Sequence, residues 1–234
     1  MPCLLHIETS TKVCSVALSL DGAALFERAS FDGPSHAALA GVYVEDALNL
    51  MRRRGLALDA VAVSGGPGSY TGLRIGVSLA KGICFGYGIP LINVHTLKVM
   101  AGRAIRMATP EAPALYCAML DARRMEVYAA LFDAGGDLVR ETRAEVVDAY
   151  TYAAFLACNR VFFFGNGAAK CMEVIASPEA VFVDGVHPLA VDMILPAEEA
   201  FLEGRFEDLA YFEPFYLKEF AATTPKNKIF THKQ

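Results

Sequence analysis

The chain has 234 residues, 54% hydrophobic and 20% charged, with a net charge of −5 from 21 basic and 26 acidic side chains. This balance supports a buried core and excludes a disordered polymer; it also argues against a chain that grips nucleic acid on its own, which needs a basic surface. No apolar run is long enough to span a bilayer and no basic, cleavable leader opens the chain, so a cytoplasmic protein without membrane attachment is expected.

In chain order, "LLHIET" and "CSVALSL" read as strands joined by a turn at Ser10-Thr11-Lys12, and Asp21-Gly22 marks a hairpin into "AALFERASF". A helix follows from about Ser35, its expected cap, to Arg53. Next come the strand "AVAVS", a glycine-rich segment, a helix to about Phe85, the strand "PLINV" and a helix from Thr96 to about Met107. Past Pro110 and Pro113 the pattern restarts with "ALYCAML", "MEVYAALF" and "VRETRAEVV" as strands. A helix "DAYTYAAFLA", a strand "RVFFF" and a second glycine turn, Gly165-Asn166-Gly167, open a short helix. The repeated order predicts an α/β protein of two tandem ribonuclease-H-like lobes, the actin, sugar-kinase and Hsp70-like architecture. The expected limits are 1–108 for the first lobe, 109–220 for a smaller second lobe and 221–234 for a flexible tail. Topology of this kind does not give function.

The segment Ser64–Gly76, "SGGPGSYTGLRIG", has the strand–glycine loop–helix order that often holds a phosphate. It fails both standard motifs. A Walker loop needs Lys six residues after its first Gly, and from Gly65, Gly66 or Gly68 that position is Thr71, Gly72 or Arg74. The dinucleotide fingerprint fits at Gly66 and Gly68 but meets Thr71 at its third glycine. The six cysteines, Cys3, Cys14, Cys84, Cys117, Cys158 and Cys171, sit in apolar contexts without C-x-x-C and read as buried thiols. His6 and Glu8 share a strand face, a spacing that fits a structural pair better than an acid–base pair. The turn Asp121-Ala122-Arg123-Arg124 reads as a charged hairpin turn rather than a phosphate contact, and Arg52-Arg53-Arg54 as a solvated helix end.

Two helices carry more apolar surface than one core uses. In the first, Leu39, Ala40, Tyr43, Val44, Ala47 and Leu48 fall in an apolar arc of about 200°, where a single core needs about 100°. In the second, Gly72, Gly76 and Ala80 recur every four residues, and each interior glycine costs about 1 kcal/mol against alanine. Close approach of another backbone would offset that cost, either inside the fold or from a partner. Beside the surplus arc of the first helix, a partner is the expected occupant. The predicted interface joins the first helix's arc to Thr71, Gly72, Ile75, Gly76, Leu79, Ala80 and Ile83.

"LLHIETSTKVCSVAL", "VAVSGGPGSYTGLRIGVSLAKGI", "PLINVHTLKVMA" and "LDARRMEVYAALF" together resemble the bacterial TsaB (YeaZ) family, over most of the chain and more weakly between about Ala149 and Leu209. The resemblance implies a part in making threonylcarbamoyladenosine beside the tRNA anticodon. It implies a non-catalytic scaffold without cofactor, acting with a TsaD-like catalytic subunit and a TsaE-like ATPase and meeting tRNA indirectly through that complex, with direct contact to tRNA or nucleotide left open. Pairing of the free chain with itself stays open. Glu8 stands where this family usually has Asp. The sister transferases carry His-x-x-x-His at the turn into the helix after "PLINV", an i, i+4 pair able to share a metal. Here those slots are Thr96 and Met100, neither a good ligand, and His95 beside them reads as a strand-end residue, so no metal site is expected. The alternative is an enzyme of the same fold, a phosphotransferase or a peptidase-like hydrolase, against which the failed motifs weigh.

Overall fold

The computed structural model describes residues 2–33, 36–108 and 113–217; the cap expected at Ser35 and the tail from 221 lie outside them. Two five-stranded sheets organise the chain. The first holds β1 (Cys3–Glu8), β2 (Cys14–Leu20), β3 (Ala23–Ser30), β4 (Ala60–Ser64) and β5 (Leu91–Val94) in the order β3-β2-β1-β4-β5. Strands β1 to β3 are antiparallel because tight turns join them; Asp21 and Gly22 both have positive φ (51° and 73°), as a two-residue hairpin requires. Strands β4 and β5 run parallel to β1 because their connections carry α1 (His36–Arg53) and α2 (Tyr70–Tyr87). Every residue of β1 and β4 is buried, which is why both read as near-continuous apolar runs.

The second sheet holds β6 (Ala114–Asp121), β7 (Glu126–Phe132), β8 (Leu138–Val146), β9 (Arg160–Phe164) and β10 (Ala180–Val183). Its order, β10-β9-β6-β7-β8, repeats that of the first, with three antiparallel strands and then two parallel ones. This is the ribonuclease-H-like order twice, as the sequence pattern predicts.

Three features depart from that pattern. Helix α3 (Thr96–Met107) does not simply close the first half. It turns Val99 onto Leu4, Ala60 and Ile92 of the first sheet, and Leu97, Met100, Ala101 and Ala104 onto Tyr116, Ala118 and Phe164 of the second. The helix expected over 148–157 shrinks to α4 (Ala153–Leu156). Asp148 Oδ1 accepts from the amides of Tyr150 and Thr151, both at 2.9 Å, and holds that stretch in a turn instead. The short helix expected after the second glycine turn is only a 3-10 turn at Ala169–Cys171.

The larger departure is the return of the chain. Helix α5 (Ile194–Leu202), preceded by a 3-10 turn at Ala190–Met193, lies on the first sheet rather than the second. Side chains alternate across a strand: Leu5 and Ile7 of β1 face α1 and α2, while Leu4 faces the other way. Leu4, Ala62 and Ile92 therefore need a cover, and Met193, Ala197 and Ala200 supply it. Residues 190–202 thus pack with the first lobe, although the sequence pattern puts 109–220 in the second. Asp192 in that turn is 8% exposed and accepts from Arg103 (3.1 Å) and Arg106 of α3, so the wedge helix and the returning segment are ion-paired.

His6, fully buried on β1, is hydrogen-bonded through Nε2 to Ser19 Oγ at 2.8 Å, a cross-sheet partner that strand spacing alone does not reveal. Burial keeps its ring neutral, with the pKa down to about 3, and lowers His95 to about 4. An unfolded histidine titrates near 6.5. The unfolded chain therefore binds more protons between that value and the folded ones. Stability is complete above about pH 6.5 and falls as acid is added, by about 2 kcal/mol per histidine at about pH 5. Urea unfolding at pH 7 and pH 5 should show this loss, reduced in His6→Gln; identical midpoints at the two pH values would refute it.

Candidate partner-binding face and interlobe cleft

The glycines of Ser64–Gly76 are required by close approach, but by segments of this chain. A Cβ at Gly72 would lie 2.0 Å from the carbonyl oxygen of Thr9, and one at Gly76 2.3 Å from Thr9 Oγ1. Thr9 Oγ1 donates to the Gly72 carbonyl at 2.8 Å, so the end of β1 is seated on the first turn of α2. Ser69 caps that turn, accepting from the Gly72 amide at 3.3 Å. On the other side, a C-terminal strap over 205–217 runs past the loop. Phe215 N donates to the Gly65 carbonyl at 2.7 Å, and a Cβ at Gly66 would meet the Phe215 carbonyl at 2.8 Å.

The expected interface therefore needs correction. Gly72, Gly76 and Ala80 face inward, and Ala40, Val44, Ala47 and Leu48 are buried in the first lobe's own core. The small-residue row admits β1, not a second protein. What remains outward on α1 is Leu39 and Tyr43, both half-buried; on α2 it is exposed Thr71 with half-buried Ile75, Leu79 and Ile83. Beside them stand exposed apolar residues absent from the prediction: Val42 (51%) on α1 and Phe85 (83%) on α2, with Gly82 between turns. Phe85 had a signal, since an aromatic ring at the open end of a glycine-rich helix is not needed by a core that small residues already fill.

Thr96 and Met100, the two slots four residues apart on α3, point into packing. Thr96 is fully buried and bonded through Oγ1 to Ser64 Oγ at 2.7 Å. Met100 is equally buried, and its Cε occupies the space a Cβ at Gly165 would need. His95 lies at the N-terminus of α3, 3.4 Å from Thr142 Oγ1, with its ring 5.7 Å from that of Phe215. Among the described residues no group of three or more His, Cys, Asp or Glu is placed to hold a metal ion, and all six cysteines are free thiols. Burial raises Cys14 and Cys84 to about 11 and Cys117 to about 12, so these three stay protonated and inert at neutral pH.

Between the lobes lies a cavity of about 950 Å³. The first lobe lines it with the Ser10–Lys12 turn and the loop and first turns of α2; the second lines it with Asp121, Arg123, Tyr128 and Asn166; the strap adds Phe215, Tyr216 and Leu217. Asn166 Oδ1 accepts from the Asp121 amide at 2.9 Å, tying the second glycine turn to the β6–β7 hairpin. Partial burial disfavours the Asp121 carboxylate, but the Lys170 ammonium, the Arg123 amide and Lys12 across the cleft outweigh it and hold its pKa below the ordinary value. The strap is braced against α2. Tyr216 lies 5.0 Å from the Tyr70 ring, and the Arg74 guanidinium, 4.4 Å from the Tyr70 ring, interacts favourably with Tyr216. The aromatic run "YFEPFY" over 211–216 is the sequence signal for this strap, and element patterning does not use it.

Two lobes of ribonuclease-H-like order around a cleft define the actin-like class of α/β proteins. The family model for tRNA N6-adenosine threonylcarbamoyltransferase, TsaD, matches residues 33–223. The tRNA threonylcarbamoyladenosine biosynthesis protein TsaB of Escherichia coli K12 is 31% identical over 223 residues, 92% of this chain and 94% of that protein. TsaB of Bacillus subtilis is 30% identical over 138 residues, 59% of this chain and 58% of that protein. The crystal structure of YeaZ from Pseudomonas aeruginosa aligns with a TM-score of 0.77 at 28% identity, over 93% of this chain and all of that one. The chain belongs to this threonylcarbamoyltransferase-type family and, within it, to the TsaB proteins of tRNA threonylcarbamoyladenosine biosynthesis.

Proposed function

We propose that this chain is the accessory, non-catalytic subunit for threonylcarbamoyl transfer to the adenosine beside the anticodon of tRNA. It acts in the cytoplasm by pairing the outward faces of α1 and α2 with a TsaD-type transferase, in an assembly that includes a TsaE-type ATPase. The observation that carries this reading is the apolar surface those two helices leave uncovered, with Val42 and Phe85 at 51% and 83% exposure on elements whose inner faces are already packed. Apolar surface of this kind, on helices anchored by a rigid sheet, marks a protein contact. The transferase role is assigned to the partner because Thr96 and Met100 are committed to packing. With a net charge of −5, this chain supplies few phosphate contacts, and most of the hold on tRNA falls to the assembly.

Reconstitution tests the proposal. Transferase, ATPase, tRNA and activated threonylcarbamoyl donor should give modified tRNA only when this chain is added, and the chain should co-elute with the transferase on size exclusion. Full activity without it, or activity from this chain without the transferase, would overturn the assignment.

A further inference from the structure

We propose that the interlobe cleft holds an unpaired stretch of RNA, its bases against the aromatic wall of Tyr128, Phe215 and Tyr216 and its phosphates at Lys12 and Arg123. The choice of RNA rests on the tRNA-modification reading above; the site itself rests on geometry. The cavity, about 950 Å³, lies at the wide end of ligand-site volumes, roughly 300–1,000 Å³. Cations reach it from both lobes, Lys12 on the β1–β2 turn and Arg123 on the β6–β7 turn. The β6–β7 turn is held in an unusual state to do so. Arg123 and Arg124 both have positive φ, 74° and 51°, where glycine or asparagine normally sits. Two arginines kept in the left-handed region cost stability, and no described side chain takes up the guanidinium of Arg123, so its charge is available to the cleft.

The lining favours an RNA strand over a free nucleoside triphosphate. A magnesium-bound triphosphate is usually held through one or two carboxylates on its metal. Asp121 is the sole acid among the residues that line the cavity, and it is ion-paired to Lys170. Glu8 is fully buried, its Oε1 accepting from the Ser10 amide at 2.5 Å. Phosphodiesters need only cations and amide donors, and unpaired bases need flat rings. Tyr216 supplies such a ring, held by Arg74 and Tyr70. Two cationic contacts fit a site that adds weakly to an assembly's hold on tRNA.

The test uses the full chain alone and a labelled oligoribonucleotide with the sequence of an anticodon loop, titrated by fluorescence anisotropy at low salt. Weak, salt-dependent binding is expected. Lys12→Gln with Arg123→Gly should weaken it about tenfold and flatten the logarithmic salt slope by about 1.4, at roughly 0.7 per phosphate contact on a single strand. Arg123→Gly by itself should melt no lower than the parent, because glycine relieves the positive φ there. Arg54→Gln, outside the cleft lining, should leave binding unchanged. No binding by the parent chain, an unaffected double variant, an equal loss in Arg54→Gln, or displacement of the RNA by ATP with magnesium would each overturn the proposal. None of these outcomes bears on pairing with the transferase, which co-elution decides separately.

Discussion

Gly72→Ala is expected to cost this protein about 3–5 kcal/mol, enough to leave much of the chain unfolded at moderate temperature. The new Cβ would stand 2.0 Å from the Thr9 carbonyl oxygen, a backbone atom that cannot rotate aside. Either β1 moves off α2 or α2 tilts, and both lose the bond from Thr9 Oγ1 to the Gly72 carbonyl. Overpacking costs about 1–3 kcal/mol, and an orphaned buried polar group a further 1–3, against a total stability of about 5–15. Gly76→Leu acts through the same residue and should also unfold the monomer rather than merely block a partner. Gly82 on the outer side of α2 is the control. A Cβ there meets nothing within 4 Å, so Gly82→Ala should stabilise by about 1 kcal/mol through helix propensity. Urea denaturation of the three variants checks the order. A stable Gly72→Ala would mean that the seat of β1 on α2 contributes little.

Phe85→Glu and Val42→Asp should have the opposite profile: an intact fold and a failed complex. Both side chains are largely exposed in the free chain, so stability should stay within about 0.5 kcal/mol of the parent. In the proposed pairing each would place an unpaired charge in the apolar centre of an interface. Interface centres concentrate binding energy at about 2 kcal/mol or more per anchor, and uncompensated charge adds to the loss. Pairing with the transferase should weaken at least about a hundredfold. Calorimetric titration or co-elution measures it. Wild-type pairing by both variants would remove these helices from the contact.

The two lobes were legible because each strand bears its own pattern. The buried β1 and β4 are mostly apolar, the hairpins carry turn residues, and the repeated order of elements needs no tertiary information. The direction of the small-residue row was not legible. Gly72, Gly76 and Ala80 announce that a backbone comes close, but the spacing is the same whether that backbone is β1 or another protein. Only the place of Thr9 in space decides it. The outward arc on α1 is narrower than its sequence implies for a similar reason. Val44, Ala47 and Leu48 share one core with β1, β2, β4 and α2 together, and Ala40 is buried beside them, a broader contact than one sheet face alone would make. Helix α5 was hidden by its brevity and by Pro196 in its first turn, where a helix tolerates proline but a periodicity scan stops.

Helix α5 covers the Leu4–Ala62–Ile92 face from almost the far end of the described chain. During synthesis that face has only Val99 of α3 against it until residues 190–202 have left the ribosome, well after β1 to β5 exist as sequence. The second sheet spans only 114–183 and has all its strands earlier than the first sheet has its lid. The lobe that is made first is therefore finished last, with one side of its sheet dependent on contacts of long sequence separation, which form slowly. A chain cut before Ala190 owns every strand of both sheets but lacks Met193, Ala197 and Ala200, so one apolar face of its first sheet is left without its main cover and open to non-native contacts.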